Sequence, residues 1–215
     1  MQDRLYWLLN DKIDKIKDKT ILIIGLGGVG SYCLETLART YINKLIIVDG
    51  DRIDISNLNR QLMTNMDNIG LYKTDVFEKR IKKINPDCEI IKITKFITKE
   101  NLDLLFKNKI DYVIDCCDTI ETKLELIKYC LKNKIKFISS MGMANRLDST
   151  KIKISTLDKT SYDPLAKKLR NLVKQENIKG KIPVVFSDEA PIKQQKLGSI
   201  AHVVATAGLL CTNYV

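Results

Sequence analysis

Apolar and polar positions alternate along the chain in two rhythms. Leu5, Leu8, Leu9, Ile13 and Ile16 recur at helical spacing, so a first helix is expected over residues 4–17. Thr20 to Ile24 is a short, almost wholly apolar, β-branched run, the signature of a buried strand. A glycine-rich hexad, Gly25-Leu26-Gly27-Gly28-Val29-Gly30, separates it from a helical stretch over 31–40, and a second apolar run, Leu45 to Val48, ends at Asp49. This strand, turn, helix, strand unit calls for parallel strands and a right-handed crossover.

The alternation continues with helices near 73–84, 99–106 and 119–133 and strands at 89–93, 110–115 and 136–139. After Met141 its character changes. Residues 152–156 and 183–186 read as further strands, separated by a basic helix over 163–175 with Pro164 in its first turn. The expected class is α/β: a Rossmann-like, doubly wound, mainly parallel sheet with additional C-terminal strands. A chain of 215 residues fits one domain over 1–215: an N-terminal helix (1–19), a nucleotide-binding core (20–145), and a segment (146–215) holding the basic helix, extra strands and an apolar end.

Composition narrows the classes. Hydrophobic residues make up 45% of the chain and no low-complexity tract occurs, which describes a folded protein. The charged first residues are followed by no long apolar run, so no secretory signal is read and a cytoplasmic location is expected. Leu197 to Val215 has no charged residue, but His202, Thr206, Thr212 and Asn213 dilute it, so a buried terminal helix is expected rather than membrane contact. The six cysteines lie in or beside apolar runs without a CxxC pair, and the chain has one histidine, which argues for reduced thiols and against zinc. The net charge is +10, and residues 151–196, with eleven Lys/Arg against five Asp/Glu, supply +6 of it. That excess suits a polyanionic partner or, equally, a solvated surface.

The chemistry gathers around the glycines. A strand-glycine-helix turn lets backbone N–H groups and a helix N-terminus approach phosphates, which assigns Gly25, Gly27, Gly28 and Gly30 to a nucleotide, with Asp49 where a ribose-binding acid belongs. NAD uses the same unit. Arg60 and Lys73 tilt the choice to ATP, because breaking an α,β-phosphoanhydride needs cations that hydride transfer does not. Asp118, in the loop after the 110–115 strand, is placed to hold Mg²⁺.

Taken together, the GLGGVG turn, Asp49-Gly50-Asp51, Ser56 to Gln61 (SNLNRQ), Gly70-Leu71-Tyr72-Lys73, Asn85-Pro86 and Asp115-Cys116-Cys117-Asp118 resemble the ubiquitin-activating-enzyme-like superfamily, motif by motif in order over 20–145. The resemblance implies carboxylate adenylation with MgATP. Asp49 would bind the ribose, Asn57, Arg60 and Lys73 the phosphates, and Asp118 the metal, with Asp51 a further cofactor-binding residue. Arg4 resembles an arginine that a partner subunit inserts into the ATP site, which implies a homodimer. Segments over 157–190, with Lys159-Thr160, Asp163 to Arg170 and Phe186 to Ala190, resemble the branch that dehydrates N6-threonylcarbamoyladenosine in tRNA. Lys167, Lys168, Arg170 and Lys174 would then meet tRNA phosphates. A sulfur-relay partner is a further possibility of that branch, and activation of a sulfur-carrier or other ubiquitin-like protein is the alternative activity. Outside the superfamily, an NAD(P)-dependent oxidoreductase and a non-catalytic nucleotide-binding adaptor are the rivals. No covalent role is expected for Cys116 or Cys117, since an internal nucleophile of the substrate makes a catalytic thiol unnecessary.

Overall fold

Seven strands hydrogen-bond into one sheet in the order β3-β2-β1-β4-β5-β7-β6. They are β1 (Thr20–Ile24), β2 (Lys44–Val48), β3 (Glu89–Ile93), β4 (Tyr112–Asp115), β5 (Lys136–Ser140), β6 (Ile152–Thr156) and β7 (Pro183–Ser187). All neighbours run parallel except β6, which pairs antiparallel with β7 as the extra edge strand. The helices are α1 (Asp3–Leu9), α2 (Lys12–Lys17), α3 (Gly28–Arg39), α4 (Lys73–Ile84), α5 (Ile120–Lys132), α6 (Pro164–Gln175) and α7 (Ala201–Tyr214). The structure is a computed structural model and describes residues 3–215, Asp3 by its backbone alone.

The continuous apolar runs follow from burial on both faces. In β1, Ile21 and Ile23 face a core shared with α3, α4 and α7, whereas Leu22 and Ile24 face a second core with α5 and α6. The sheet reverses its winding between β1 and β4, and the crevice outside their carboxyl ends is where such sheets bind ligands. The uncharged C-terminal run is α7, whose Val203, Val204, Ala207, Gly208 and Cys211 are buried. Gly208 lets it approach α3 closely, for a Cβ there would lie 2.6 Å from the Val29 carbonyl oxygen. Among the described residues no helix is long and apolar enough to cross a membrane.

Two expectations are corrected. The single helix over 4–17 is two short ones, broken at Asn10, whose φ of 48° lies in the left-handed region. Its apolar spacing marks a buried face only in part: Leu8 is 77% exposed, whereas Ile13 is buried, Ile16 packs half-buried against the core, and Trp7 beside the stripe is 71% exposed. Residues 99–106 form a tighter 3₁₀ helix, which still buries Leu102 and Leu105.

Candidate active site

A cavity of about 720 Å³ opens at the winding reversal, within the usual range for small-molecule sites. Its floor is the glycine turn. Gly25 has φ of +85°, and a Cβ there would stand 2.7 Å from the Cys116 carbonyl oxygen; a Cβ on Gly30 would stand 1.9 Å from Gly25's own oxygen. Only bare backbone allows strand, turn and helix to close so tightly. Gly27 caps α3 without a side-chain acceptor, and Gly27, Gly28 and Val29 line the cavity, so first-turn N–H groups are left for a ligand to meet.

Asp49, at the end of β2, accepts the N–H groups of Leu26 and Asp51, both at 2.7 Å. Burial pushes its carboxyl above the ordinary value, and the nearby Lys73 ammonium opposes that shift. Lys73 opens α4, is itself buried, and sits 2.7 Å from Asp51 Oδ2 and 3.8 Å from Asp49 Oδ2. A phosphate oxygen would have to compete with Asp51 for that ammonium. Asn57 Oδ1 accepts the Asp54 N–H, closing a short turn, and the Arg60 guanidinium donates to the Ser56 carbonyl and Asn59 Oδ1. Both still line the cavity, as do Asp49, Asp51, Lys73 and Asp118. Asp118 is exposed and belongs to none of the ion pairs among the described residues. Arg4 lies exposed on α1 and does not line this cavity.

Beneath the site lies a group the sequence reading missed. Lys123 of α5 is fully buried and places its ammonium 2.9 Å from Asp115 Oδ2, which also accepts the Ser139 hydroxyl at 2.6 Å. Asp115 Oδ1 accepts the Cys117 N–H at 3.1 Å, so the pair fixes the loop carrying Cys117 and Asp118. Its signal was legible, since Lys123 stands with Ile127 and Cys130 on the apolar stripe of α5. Gln61 was quoted only as part of a motif. It is buried against the cavity, and its Oε1 has no hydrogen-bond partner among the described residues.

The opposite wall comes from the C-terminal segment. Arg146 is buried and donates to the carbonyls of Gly142, Tyr162 and Glu189, with Asp163 at 3.7 Å. Asp163 in turn caps α6 by accepting the Ala166 N–H at 2.9 Å. Burial raises its carboxyl above the usual range, against the pull of those contacts. On α6, Lys167, Lys168 and Lys174 are exposed, as expected of phosphate-seeking side chains. Arg170 is half-buried and partly engaged: its Nη1 donates to the Thr160 carbonyl at 3.0 Å and to the Thr160 hydroxyl, bracing the 3₁₀ turn after β6.

The ThiF family matches residues 4–212 of the chain. The tRNA threonylcarbamoyladenosine dehydratase of Bacillus subtilis (strain 168) is 44% identical over 180 residues, covering 84% of this chain and 71% of that protein. Its namesake from Escherichia coli (strain K12) is 40% identical over 197 residues, covering 88% and 74%. Crystal structures of the E. coli tRNA N6-threonylcarbamoyladenosine dehydratase, one in complex with AMP and one with ATP, superpose with a TM-score of 0.93 at 36% identity, over 99% of this chain and 90% of theirs. The E. coli MccB structures, at 22% identity and a TM-score of 0.63, share the fold. With the glycine turn, its flanking motifs and the sheet order all in agreement, the chain belongs to the ThiF family.

Proposed function

We propose that this protein dehydrates N6-threonylcarbamoyladenosine in tRNA, using ATP to activate the carboxylate of the modification as an acyl-adenylate. The carrying observation is the single cavity. It joins the glycine turn, Asp49, Arg60, Lys73 and Asp118 to a wall from the C-terminal segment, in a chain resembling dehydratases that have been seen with ATP and AMP.

In the first step the substrate carboxylate attacks the α-phosphorus and pyrophosphate leaves. Lys73 and Arg60 hold the phosphates and offset the charge gathering on the leaving group, while amides at the start of α3 orient them. Asp49 and Asp51 receive the ribose end. A neighbouring group of the same substituent then attacks the activated carbonyl and expels AMP, so the substrate loses one water overall. Because both partners sit in one molecule, proximity supplies a large effective molarity and no protein thiol is required. Asp118, an exposed hard-oxygen donor beside the phosphates, fits Mg²⁺, which is commonly held by one or two carboxylates plus substrate phosphates. When bound, the ion would neutralise phosphate charge.

Lys167, Lys168 and Lys174 lie on the helix whose start, Pro164 and Leu165, lines the cavity, so tRNA phosphates would be met beside the adenosine. We read the chain as one domain and as a homodimer in which Arg4 serves the partner's ATP site. The test is incubation with MgATP and tRNA carrying the modification, followed by nucleoside mass spectrometry. Loss of one water mass with release of AMP and pyrophosphate is expected. An unchanged nucleoside, with pyrophosphate released only on addition of a ubiquitin-like protein, would replace this reading by small-protein activation.

A further inference from the structure

Three thiols from distant parts of the chain converge under the glycine turn. Cys33 of α3, Cys116 just past β4 and Cys211 of α7 have Sγ atoms all within 4.8 Å of one another, and all three are free. Cys33 and Cys116 Sγ are 3.8 Å apart. Cys33 and Cys211 are wholly buried, whereas Cys116 lines the nucleotide cavity, which gives the cluster a route to small solutes. A lone buried thiol is inert packing, but three in contact with one at a cavity wall have chemistry available to them.

The electrostatics distinguish the members. Burial by itself would push the Cys33 thiol up, yet hydrogen bonds from Cys116, Cys211 and Thr212 bring it below the ordinary thiol value. While protonated, Cys33 has the Gly208 carbonyl, at 3.2 Å, to donate to. Cys116 and Cys211 are pushed up through the hydrogen bonds and charges they share with Cys33. Of the three, Cys33 is the thiol that gives up its proton most readily.

We infer that Cys33 and Cys116 are an oxidation site, closed to a disulfide by a small hydroperoxide entering the cavity, and that closure weakens nucleotide binding. The second clause rests on the proposed function; the first does not. Cys116, the member reached from the cavity, passes its proton to Cys33 across their 3.8 Å contact, and its sulfur takes one peroxide oxygen as the O–O bond breaks; the departing hydroxide recovers that proton from Cys33, giving a sulfenic acid and water. The Cys33 thiolate attacks that sulfur, the S–O bond breaks, and the departing hydroxide takes a proton to form a second water. Two thiols and one hydrogen peroxide thus become a disulfide and two waters.

The coupling is geometric. A disulfide requires the sulfurs to close from 3.8 Å to about 2 Å. Cys116 has no slack against the turn: the positions of absent Cβ atoms on Gly25 and Gly30 lie 2.7 Å from its carbonyl oxygen and 3.4 Å from its Cβ. Drawing Cys116 toward α3 therefore displaces the backbone that is to cradle phosphates.

The test treats reduced full-length protein with hydrogen peroxide, traps remaining thiols by alkylation, and maps peptides without reduction. A Cys33–Cys116 link reversed by dithiothreitol is expected, with ATP affinity by calorimetry falling at least about tenfold on oxidation and returning on reduction. Cys33→Ala, or Cys33→Val should the alanine variant fail to fold, should bind ATP equally before and after peroxide. Absence of the link, or a stoichiometric metal ion protecting the three thiols in the reduced protein, overturns the proposal. A link that leaves ATP affinity unchanged overturns the coupling. A reduced parent that binds no ATP overturns the nucleotide reading instead, because the peptide map is read without nucleotide.

Discussion

Replacing Lys123 by methionine removes the ammonium from beneath the site while keeping most of the side chain's volume. Asp115 would then keep its carboxylate at 2% exposure with the Ser139 hydroxyl and the Cys117 N–H and thiol as its remaining partners. Breaking a buried pair by removing one partner typically costs about 3–5 kcal/mol, much of a domain's total stability of roughly 5–15 kcal/mol. The double variant Lys123→Met/Asp115→Asn leaves no orphaned charge, and the amide oxygen it introduces beside β4 can still accept hydrogen bonds. It should recover most of the loss, since replacing both members of such a pair is often close to neutral.

Urea unfolding near neutral pH, with unchanged m-values, measures both variants. Alkaline pH supplies a second readout. Burial works against the Lys123 ammonium, but Asp115 and its neighbours outweigh it and the group titrates above the ordinary lysine value. A raised lysine contributes fully below its unfolded pKa of about 10.4 and loses that contribution as pH climbs through the folded value. Parent and Lys123→Met should therefore converge only above that window. A single-variant loss under about 1 kcal/mol, or a double variant no better than the single, would refute the buried pair as the support of the 115–118 loop.

Three shorter expectations follow from the same geometry. Gly30→Ala puts a Cβ 1.9 Å from Gly25's oxygen, so turn and helix must part by about 1 Å; ATP turnover should fall roughly 10²-fold, measured by AMP release. Asp118→Ala, at an exposed position, should leave stability within about 0.5 kcal/mol by urea unfolding yet cut turnover by roughly 10²-fold, since the role proposed for it is charge stabilisation during reaction. Reversing Lys167, Lys168 and Lys174 to glutamate should weaken tRNA binding and flatten its salt slope by roughly one unit for each phosphate no longer neutralised, with ATP affinity held; unchanged tRNA binding would make α6 a solvated face.

What the sequence disclosed depends on whether its signal was local. The turn between β1 and α3 was legible because strand, glycines and helix are contiguous, and because residues along one parallel strand edge necessarily share a site. The N-terminal helix misled for the same reason. Helical spacing reports only that a face could be buried, and among the described residues nothing covers Trp7 and Leu8 of α1. The apolar stripe of α5 signals that Lys123 is buried but not what it meets, because only the packing of that helix on β4 brings Asp115 against it. The thiol cluster left no pattern at all: 83 and 95 positions separate its members, and only the packing of α3 against both α7 and the loop after β4 joins them.

The same contrast separates the two halves of the cavity. The nucleotide half uses short-range motifs whose side chains act directly, so residue types alone point to phosphate and ribose. The substrate half is shaped by Arg146 gripping three carbonyls, by Asp163 capping α6, and by Asn145, whose side chain accepts the Gly198 N–H at 2.6 Å while its backbone accepts that of Ile192. These polar groups hold main chain rather than reach for a ligand. Arg170 belongs to that pattern, since a guanidinium with five donors is the side chain best suited to brace loops of irregular backbone. Lysines, with one compact charge on a flexible stem, are left at the rim. Within α6 the polar side chains therefore divide by chemistry: the arginine turns inward on a carbonyl and the lysines stand at the exposed rim, with the helix start placed by Asp163 at the cavity wall.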